Sequence, residues 1–201
     1  MKSRGNLPSA GETHPLPPFL PAGARLLLLG SFPPPRQRWK MDFYYPNLQN
    51  DMWRIFGYLY HHDRRYFLGA DGKSFRETAL RAFLHERGIA LSDTARRVRR
   101  LHGNAADKSL HILATCDLAT LLAQIPACTT LATTGELATR TLNRLLPPDT
   151  PLPRIGSPVT TRYANRILHH YRLPSTSRAY PLPLEEKAAA YRQCLNACGL
   201  L

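Results

Sequence analysis

The sequence lacks the closely spaced cysteine pairs that bind metal in zinc ribbons and iron–sulfur proteins. It contains four cysteines in 201 residues, at positions 116, 128, 194 and 198, and no two of them are separated by only two residues. Such pairs are the usual signature of those metal sites. We therefore expect no metal and no cofactor, and four reduced thiols that lie mostly in the core.

Long apolar runs are missing as well. No stretch has the roughly 20 apolar residues that a membrane-spanning helix needs, and the first residues do not resemble a signal peptide. We expect a soluble, cytoplasmic protein that does not bind membranes. A chain of 201 residues is long enough for one domain with a substantial core, and we expect it to be a monomer.

Acidic residues are scarce. The chain has 14 Asp and Glu against 27 Lys and Arg, which gives a formal net charge of +13. An excess of this size favours a polyanionic partner, nucleic acid above all. Membrane phospholipid is the weaker alternative, because no basic amphipathic helix stands out.

The order of apolar segments predicts the fold class. Residues 1–24 are rich in proline and predict an extended or partly disordered arm, followed by one domain over 25–201. In that domain, strands predicted at about 25–29, 89–91 and 129–133 alternate with helices, and 159–163 and 166–173 predict a hairpin. We predict an α/β fold, a three-layer α/β/α sandwich with a largely parallel central sheet.

Two loops are the strongest candidates for a site. Four leucines, Leu26–Leu29, run into Gly30, which is typical of a strand buried on both faces that ends at a sharp turn. In open α/β sheets ligands bind beyond the carboxyl ends of such strands. The loop after the last predicted strand begins at Pro174 and should open at the same edge of the sheet.

Together these loops resemble the two motifs of the uracil-DNA glycosylase superfamily, over about residues 25 to 195. In that family a first motif after the first strand places a water-activating residue, and a second, typically His-Pro-Ser, follows the last strand. Gly30-Ser31-Phe32-Pro33 and Leu173-Pro174-Ser175-Thr176-Ser177 take these places here. Phe32 stands where several branches have Asp or Asn, and Leu173 stands where many members have His.

The detailed pattern is most similar to the second bacterial branch of the single-strand-selective monofunctional uracil-DNA glycosylases and to the hypoxanthine-DNA glycosylase branch. In the latter, the catalytic asparagine lies in a Tyr-Tyr-x-x-x-x-Asn-x-x-Trp run. The segment Tyr44-Tyr45-Pro46-Asn47-Leu48-Gln49-Asn50-Asp51-Met52-Trp53 matches that run and puts Asn50 in the catalytic place.

The resemblance implies a monofunctional DNA glycosylase that initiates base excision repair, with DNA containing deaminated bases as its partner. Such an enzyme flips uracil, and in some branches xanthine or hypoxanthine, out of the helix and excises it. Cleaving the bond builds positive charge on the sugar and negative charge on the base. Asn50 or Asp51 could hold the attacking water, and Asp51 could act as its base, although both residues also suit a helix N-terminus.

The remaining candidates fall into two groups. The expected base-binding residues are Gly30, Ser31, Phe32, Phe43, Tyr45 and Asp93. Phe43 and Tyr45 have a core position as their alternative, and Asp93 could accept from a base N–H or cap a helix with Thr94. The expected DNA-binding residues are Pro174, Ser175, Thr176, Ser177, Arg178, Arg96 and Arg97, with a merely solvated surface as the alternative for the arginines.

Two other functions stay open. The chain could be a non-catalytic binder of deaminated or single-stranded DNA, because it lacks Asp or Asn at position 32 and His at position 173. A third option is an α/β enzyme that processes nucleosides. The glycosylase prediction requires residues 50 and 175 to lie on the same side of the sheet.

Overall fold

The computed structural model describes residues 11–101 and 109–201. Its strands are β1 Glu12–Thr13, β2 Leu26–Gly30, β3 Ile89–Asp93, β4 Ala95–Arg100, β5 Leu110–Thr115, β6 Thr130–Thr134, β7 Val159–Tyr163 and β8 Arg166–Leu173. Its helices are α1 Met52–His61, α2 Glu77–Arg87, α3 Leu118–Gln124, α4 Glu136–Asn143 and α5 Leu184–Ala197.

The central sheet has five strands in the order β3-β2-β6-β8-β7. The pairs β3–β2, β2–β6 and β6–β8 are parallel, and only β7, at the edge, is antiparallel. The β7–β8 turn consists of Ala164 and Asn165, whose φ angles are 48° and 59°. Two left-handed residues match the right-handed twist of a two-residue hairpin, so the predicted hairpin is confirmed.

Alternate residues of β2 face different layers. Leu26 and Leu28 pack with helices α1, α2 and α5, through residues such as Ile55, Leu84 and Tyr191. Leu27 and Leu29 pack with α3 and α4 on the opposite face, through residues such as Leu122 and Leu142. Because both faces are covered, the run of four leucines is buried throughout, and the predicted three-layer α/β/α sandwich is confirmed.

A second, small sheet of order β1-β4-β5 was not predicted. Strand β4 contains four arginines, and only Ala95 and Val98 are buried in it. These two residues are three apart because the β4–β5 pairing shifts register between them. The irregularity removes the alternation of apolar residues that identifies a strand in a sequence.

Residues 11–24 pack on the domain. His14 N–H donates to the Arg96 carbonyl at 2.8 Å, Phe19 exchanges backbone hydrogen bonds with Leu91, and Leu16 lies in the core. Residues 11–24 therefore pack against the domain that was predicted to begin at residue 25. The first ten residues of the predicted arm lie outside the described part of the chain.

Candidate active site

The two predicted loops lie side by side at the carboxyl edge of the sheet. The Asp51 N–H donates to the Thr176 carbonyl at 2.7 Å, and Asn50 pairs with Ser177 in an antiparallel bridge. These residues are more than a hundred positions apart in the chain. Residues 50 and 175 are thus on the same side of the sheet, as the glycosylase prediction requires.

A cleft of about 940 Å³ opens between these loops. It is lined by eleven of the predicted site residues: Gly30, Ser31, Phe32, Tyr45, Asn50, Asp93, Pro174, Ser175, Thr176, Ser177 and Arg178. Four others do not line it: Phe43, Asp51, Arg96 and Arg97. A volume of this size suits a ligand as large as a flipped nucleotide.

Phe43 lies in the core instead of the base pocket. Its side chain is buried, and its ring stacks with that of Trp53 at 6.3 Å between centroids. The Arg81 guanidinium covers the ring at 4.0 Å. Burial of a large aromatic side chain in the core is energetically favourable. The prediction that Phe43 contacts the base is therefore wrong, and its alternative, a core position, is found.

Tyr45 and Phe32 are two of the aromatic residues that line the cleft; Tyr44 and Tyr180 are the others. Tyr45 has a left-handed backbone with φ of 51°, and its hydroxyl lies 3.3 Å from Thr134 Oγ1. Such a conformation costs free energy in a non-glycine residue and is found preferentially at functional sites. Phe32 is partly exposed, and the Arg100 guanidinium lies 5.5 Å from its ring centre.

Asn50 lines the cleft and also caps helix α1. Its Oδ1 accepts the Met52 N–H at 2.9 Å. The helix begins at Met52, and before it Asn47 forms a turn in which its Oδ1 accepts the Gln49 N–H at 2.9 Å. An amide oxygen has two lone pairs, so Asn50 can cap the helix and still accept a hydrogen bond from a water.

Asp51 is 6% exposed, and it does not face the cleft. Its Oδ2 lies 2.9 Å from Nζ of Lys187, a lysine on α5 that is 1% exposed and also donates to the Ser177 carbonyl at 2.9 Å. Arg54 and Arg178 lie 3.6 and 3.5 Å from Oδ1. The predicted role of Asp51 as a base is corrected: its carboxylate joins the two loops to α5.

Lys187 was missed by sequence reasoning, although a signal was present. The buried residues of α5 include Lys187, Tyr191 and Cys194, which follow at helical spacing. A lysine on the apolar face of a helix needs a buried acid as its partner. The position of that acid, 136 residues earlier, is not visible in the sequence.

Asp93 ends β3 directly opposite Gly30 in the parallel pairing. Its carboxylate is buried, with Oδ2 2.8 Å from Nε2 of His14 and Oδ1 against Gly30. A Cβ atom at position 30 would come within 2.3 Å of that oxygen, so only glycine fits there. The helix-cap alternative for Asp93 is wrong, because a strand, β4, follows it.

Tyr44 lies next to the pair formed by His14 and Asp93, with its ring 6.0 Å from that of His14. Its hydroxyl donates to the Pro17 carbonyl at 3.1 Å. Burial is the main cause that raises the pKa of Tyr44 well above its ordinary value, and the Asp93 carboxylate raises it further. Burial therefore favours the neutral form of the phenol.

Cations surround the mouth of the cleft. The lining residues include Arg38, Arg140, Arg172 and Arg178. Arg178 is about half exposed, and its backbone N–H donates to the Gln49 carbonyl at 3.2 Å. Arg140 is held by Glu136 at 2.8 Å, an interaction that lowers the pKa of the Glu136 carboxyl.

Arg96 and Arg97 lie apart from these cations, on β4 of the small sheet. Arg96 is partly buried and donates to the Leu16 carbonyl at 3.2 Å. Arg97 is exposed, opposite Thr13 of β1. Neither arginine lines the cleft, so any contact that they make with DNA lies outside it.

The described residues contain no group of three or more His, Cys, Asp or Glu that could hold a metal ion. All four cysteines are free, and three of them are buried, as predicted for reduced core thiols. Across 11–101 and 109–201, no helix has the length and apolar character needed to cross a membrane.

No family model and no curated protein sequence matches the chain. Among solved structures, the chain is similar to the solution NMR structure of "a putative Uracil DNA glycosylase from Methanosarcina acetivorans". The two chains share 20% sequence identity, the match covers 89% of this chain and 95% of the other, and the TM-score is 0.54. The likeness shows that they share a fold.

Proposed function

We propose that this protein is a monofunctional DNA glycosylase of the uracil-DNA glycosylase type, which excises deaminated bases from DNA. The observation that carries the proposal is the pairing of residues 49–51 with residues 176–178 beside one cleft. The likeness in fold to a structure named as a putative uracil DNA glycosylase supports it.

The substrate bond is hidden inside stacked DNA, so the nucleotide has to swing out into the cleft. Phe32 and Tyr45 provide aromatic surface for the base, and Asp93 provides an acceptor at the inner end. The hydroxyls of Ser175 and Ser177 and the arginines at the mouth are suited to the phosphates on either side of the flipped nucleotide.

Asn50 is the residue that we assign to the attacking water. An amide is too weak a base to take a proton, so Asn50 positions the water without deprotonating it. The C–N bond between sugar and base therefore breaks before the bond to the water forms. The bonding electrons leave with the base, water adds to the cationic sugar, and its proton passes to the departing base. The products are an abasic site and the free base.

Hydrolysis by water, without a covalent intermediate, fits the lining of the cleft. A combined glycosylase and lyase would need a lysine amine at the sugar. Among the described residues that line the cleft there is no lysine, and Lys187 is paired with Asp51 in the core. We therefore propose the monofunctional reaction.

The test is incubation with single- and double-stranded oligonucleotides that carry uracil, hypoxanthine or xanthine, followed by alkali. We expect strand cleavage at one or more of the damaged bases after alkali and none without it. The Arg192→Ala variant is the matched control, because Arg192 is exposed on α5 and does not line the cleft. Absence of cleavage with all three bases in both forms of DNA would contradict the proposal.

The second candidate is a non-catalytic binder of deaminated or single-stranded DNA. Two observations favour it: Phe32 and Leu173 stand where the family that the motifs resemble usually has polar groups, and Asp51 is held in an ion pair. Tight binding of uracil-containing DNA without release of the base would establish this function instead.

A further inference from the structure

His14 and Asp93 form a buried pair at the inner end of the cleft. The two side chains are almost completely shielded from solvent, and Nε2 lies 2.8 Å from Oδ2. Asp93 and Gly30 both line the cleft, and Oδ1 is the oxygen next to Gly30. One carboxylate oxygen is thus engaged by His14, and the other lies next to Gly30, a residue that lines the cleft.

The imidazole of His14 is fixed on several sides. Nδ1 lies 2.9 Å from the Leu16 carbonyl oxygen and 3.2 Å from the Leu16 nitrogen. The rings of Phe32 and Tyr44 lie 5.2 and 6.0 Å away. Its backbone N–H is bonded to β4, so the ring cannot turn away from Asp93 without disturbing this packing.

When Asp93 is ionised, or shares its proton with His14, Oδ1 is an acceptor. If Nδ1 donates to the Leu16 carbonyl, the proton shared by Nε2 and Oδ2 lies on either atom. If Nδ1 instead accepts from the Leu16 N–H, Nε2 carries the proton and donates to Oδ2. In these three cases Oδ1 carries no proton; an Asp93 protonated on Oδ1 would instead present a donor there.

We propose that His14 is a positioning residue that makes Asp93 a fixed acceptor for a ring N–H of the flipped base. This inference rests on the proposed function and deepens it: the acceptor distinguishes uracil and hypoxanthine, which have a ring N–H beside a carbonyl group, from cytosine and adenine, which do not. Deamination creates that group, because it converts N3 of cytosine and N1 of adenine from acceptors into N–H donors. Cytosine and adenine would place an acceptor against Oδ1 and leave both atoms unpaired.

The proposal also gives residues 11–24 a role in the site. His14 lies before the predicted start of the domain, and β1 and Leu16 anchor it to β4 and to the core. The segment therefore supplies a side chain that orients a group of the cleft, in addition to covering the sheet.

The experiment uses DNA that carries 2′-fluorinated uridine or cytidine, because the fluorine destabilises the sugar cation and blocks cleavage. Affinity then reports base recognition separately from chemistry. For the wild type we expect binding to uracil about 10- to 100-fold tighter than to cytosine, the range that one hydrogen bond to a charged group supports. In His14→Phe, which fills the same space without a donor, this ratio should fall to within about threefold.

His14→Gln retains an amide donor for Oδ2 and should restore most of the preference, whereas a purely structural role would not distinguish the two variants in this way. His14→Leu is measured in parallel, and thermal unfolding selects the variants that are folded. A folded His14→Phe or His14→Leu protein with the wild-type ratio would overturn the inference. Uracil release by the wild type is measured separately, so that a failure of the enzyme proposal and a failure of the His14 proposal are distinguished.

Discussion

Asp51 and Asp93 are both buried acids at the carboxyl edge of the sheet, and their neighbours give them different roles. Asp51 is surrounded by three cations, Lys187, Arg54 and Arg178, and does not reach the cleft. Asp93 has one histidine partner and keeps an oxygen beside Gly30. Burial alone therefore does not distinguish these two acids; the arrangement of partners around their oxygens does.

The largest expected effect concerns the stability of the Asp51 pair. Asp51→Ala leaves the Lys187 amine buried without its counter-charge, and we expect the free energy of unfolding to fall by about 3–5 kcal/mol. Asp93→Ala should cost less, because it removes a hydrogen bond to one imidazole and leaves no buried ammonium group unpaired. Urea unfolding of both variants measures the difference.

A double variant is the control for this prediction. Asp51→Leu with Lys187→Met removes both charges, and most of the lost stability should return, because an apolar pair often replaces a buried ion pair at little cost. A loss below about 1 kcal/mol for Asp51→Ala would contradict the structural role that we give to Asp51.

Acid titration extends the comparison to His170, a buried group without a charged partner. Its Nε2 lies 3.1 Å from Thr133 Oγ1, and burial lowers its pKa from 6.5 to about 4. Between these values the unfolded chain takes up a proton that the folded chain does not, so stability falls as the pH is lowered through this range. The contribution is up to about 3 kcal/mol.

We expect His170→Leu to remove this part of the pH dependence, which urea unfolding at pH 7 and pH 4 measures. His169→Gln, a change at the exposed neighbour, is the matched control and should leave the profile unchanged. Equal slopes for the wild type and His170→Leu would show that His170 is not the group responsible.

The next effect separates Asn50 from Asp51 in catalysis. We expect Asn50→Ala to lower the single-turnover rate of uracil release by about 100-fold, the cost of a misplaced reactant. It should also cost about 1 kcal/mol of stability through the lost helix cap. Asn50→Asp keeps an acceptor oxygen and should retain more activity.

Asp51→Asn keeps the shape of the side chain and should affect the rate less than Asn50→Ala does. If folded Asp51→Asn protein released uracil more slowly than folded Asn50→Ala protein, Asp51 and not Asn50 would be the catalytic residue.

The smallest effect is expected at Arg178, a half-exposed cation at the mouth of the cleft. Arg178→Ala should change stability by less than about 1 kcal/mol, because exposed ion pairs contribute little. If Arg178 contacts a phosphate, the slope of log affinity against log salt concentration should fall by about 1. Arg192→Ala should leave the slope unchanged; an equal effect in both variants would argue against a phosphate contact of Arg178.

The sequence predicted the central sheet well because its strands carry strong local signals. Four leucines in a row, a glycine at the strand end and the Ala164–Asn165 turn each have one favourable structure. The small sheet was missed because β4 buries only two residues and its pairing is irregular. Strand β4 forms because it pairs with β1 and β5, and these pairings cannot be seen in the local sequence pattern.

The sequence predicted that the two loops meet, but not the partners of the acids beside them. That the two loops meet follows from the parallel order of the strands, which the sequence indicates. The partners of Asp51 and Asp93 lie 136 and 79 residues away along the chain. Only the folded structure shows that a lysine pairs with one acid and that a histidine from the N-terminal segment is bonded to the other.

The most direct test of the account is detection of free uracil after incubation with uracil-containing DNA, for the wild type, Asn50→Ala and Arg192→Ala. We predict that the wild type and Arg192→Ala release the base and leave an intact abasic strand, and that Asn50→Ala does so about 100-fold more slowly. No release by the wild type, or equal rates for all three proteins, would contradict a glycosylase site between the paired loops.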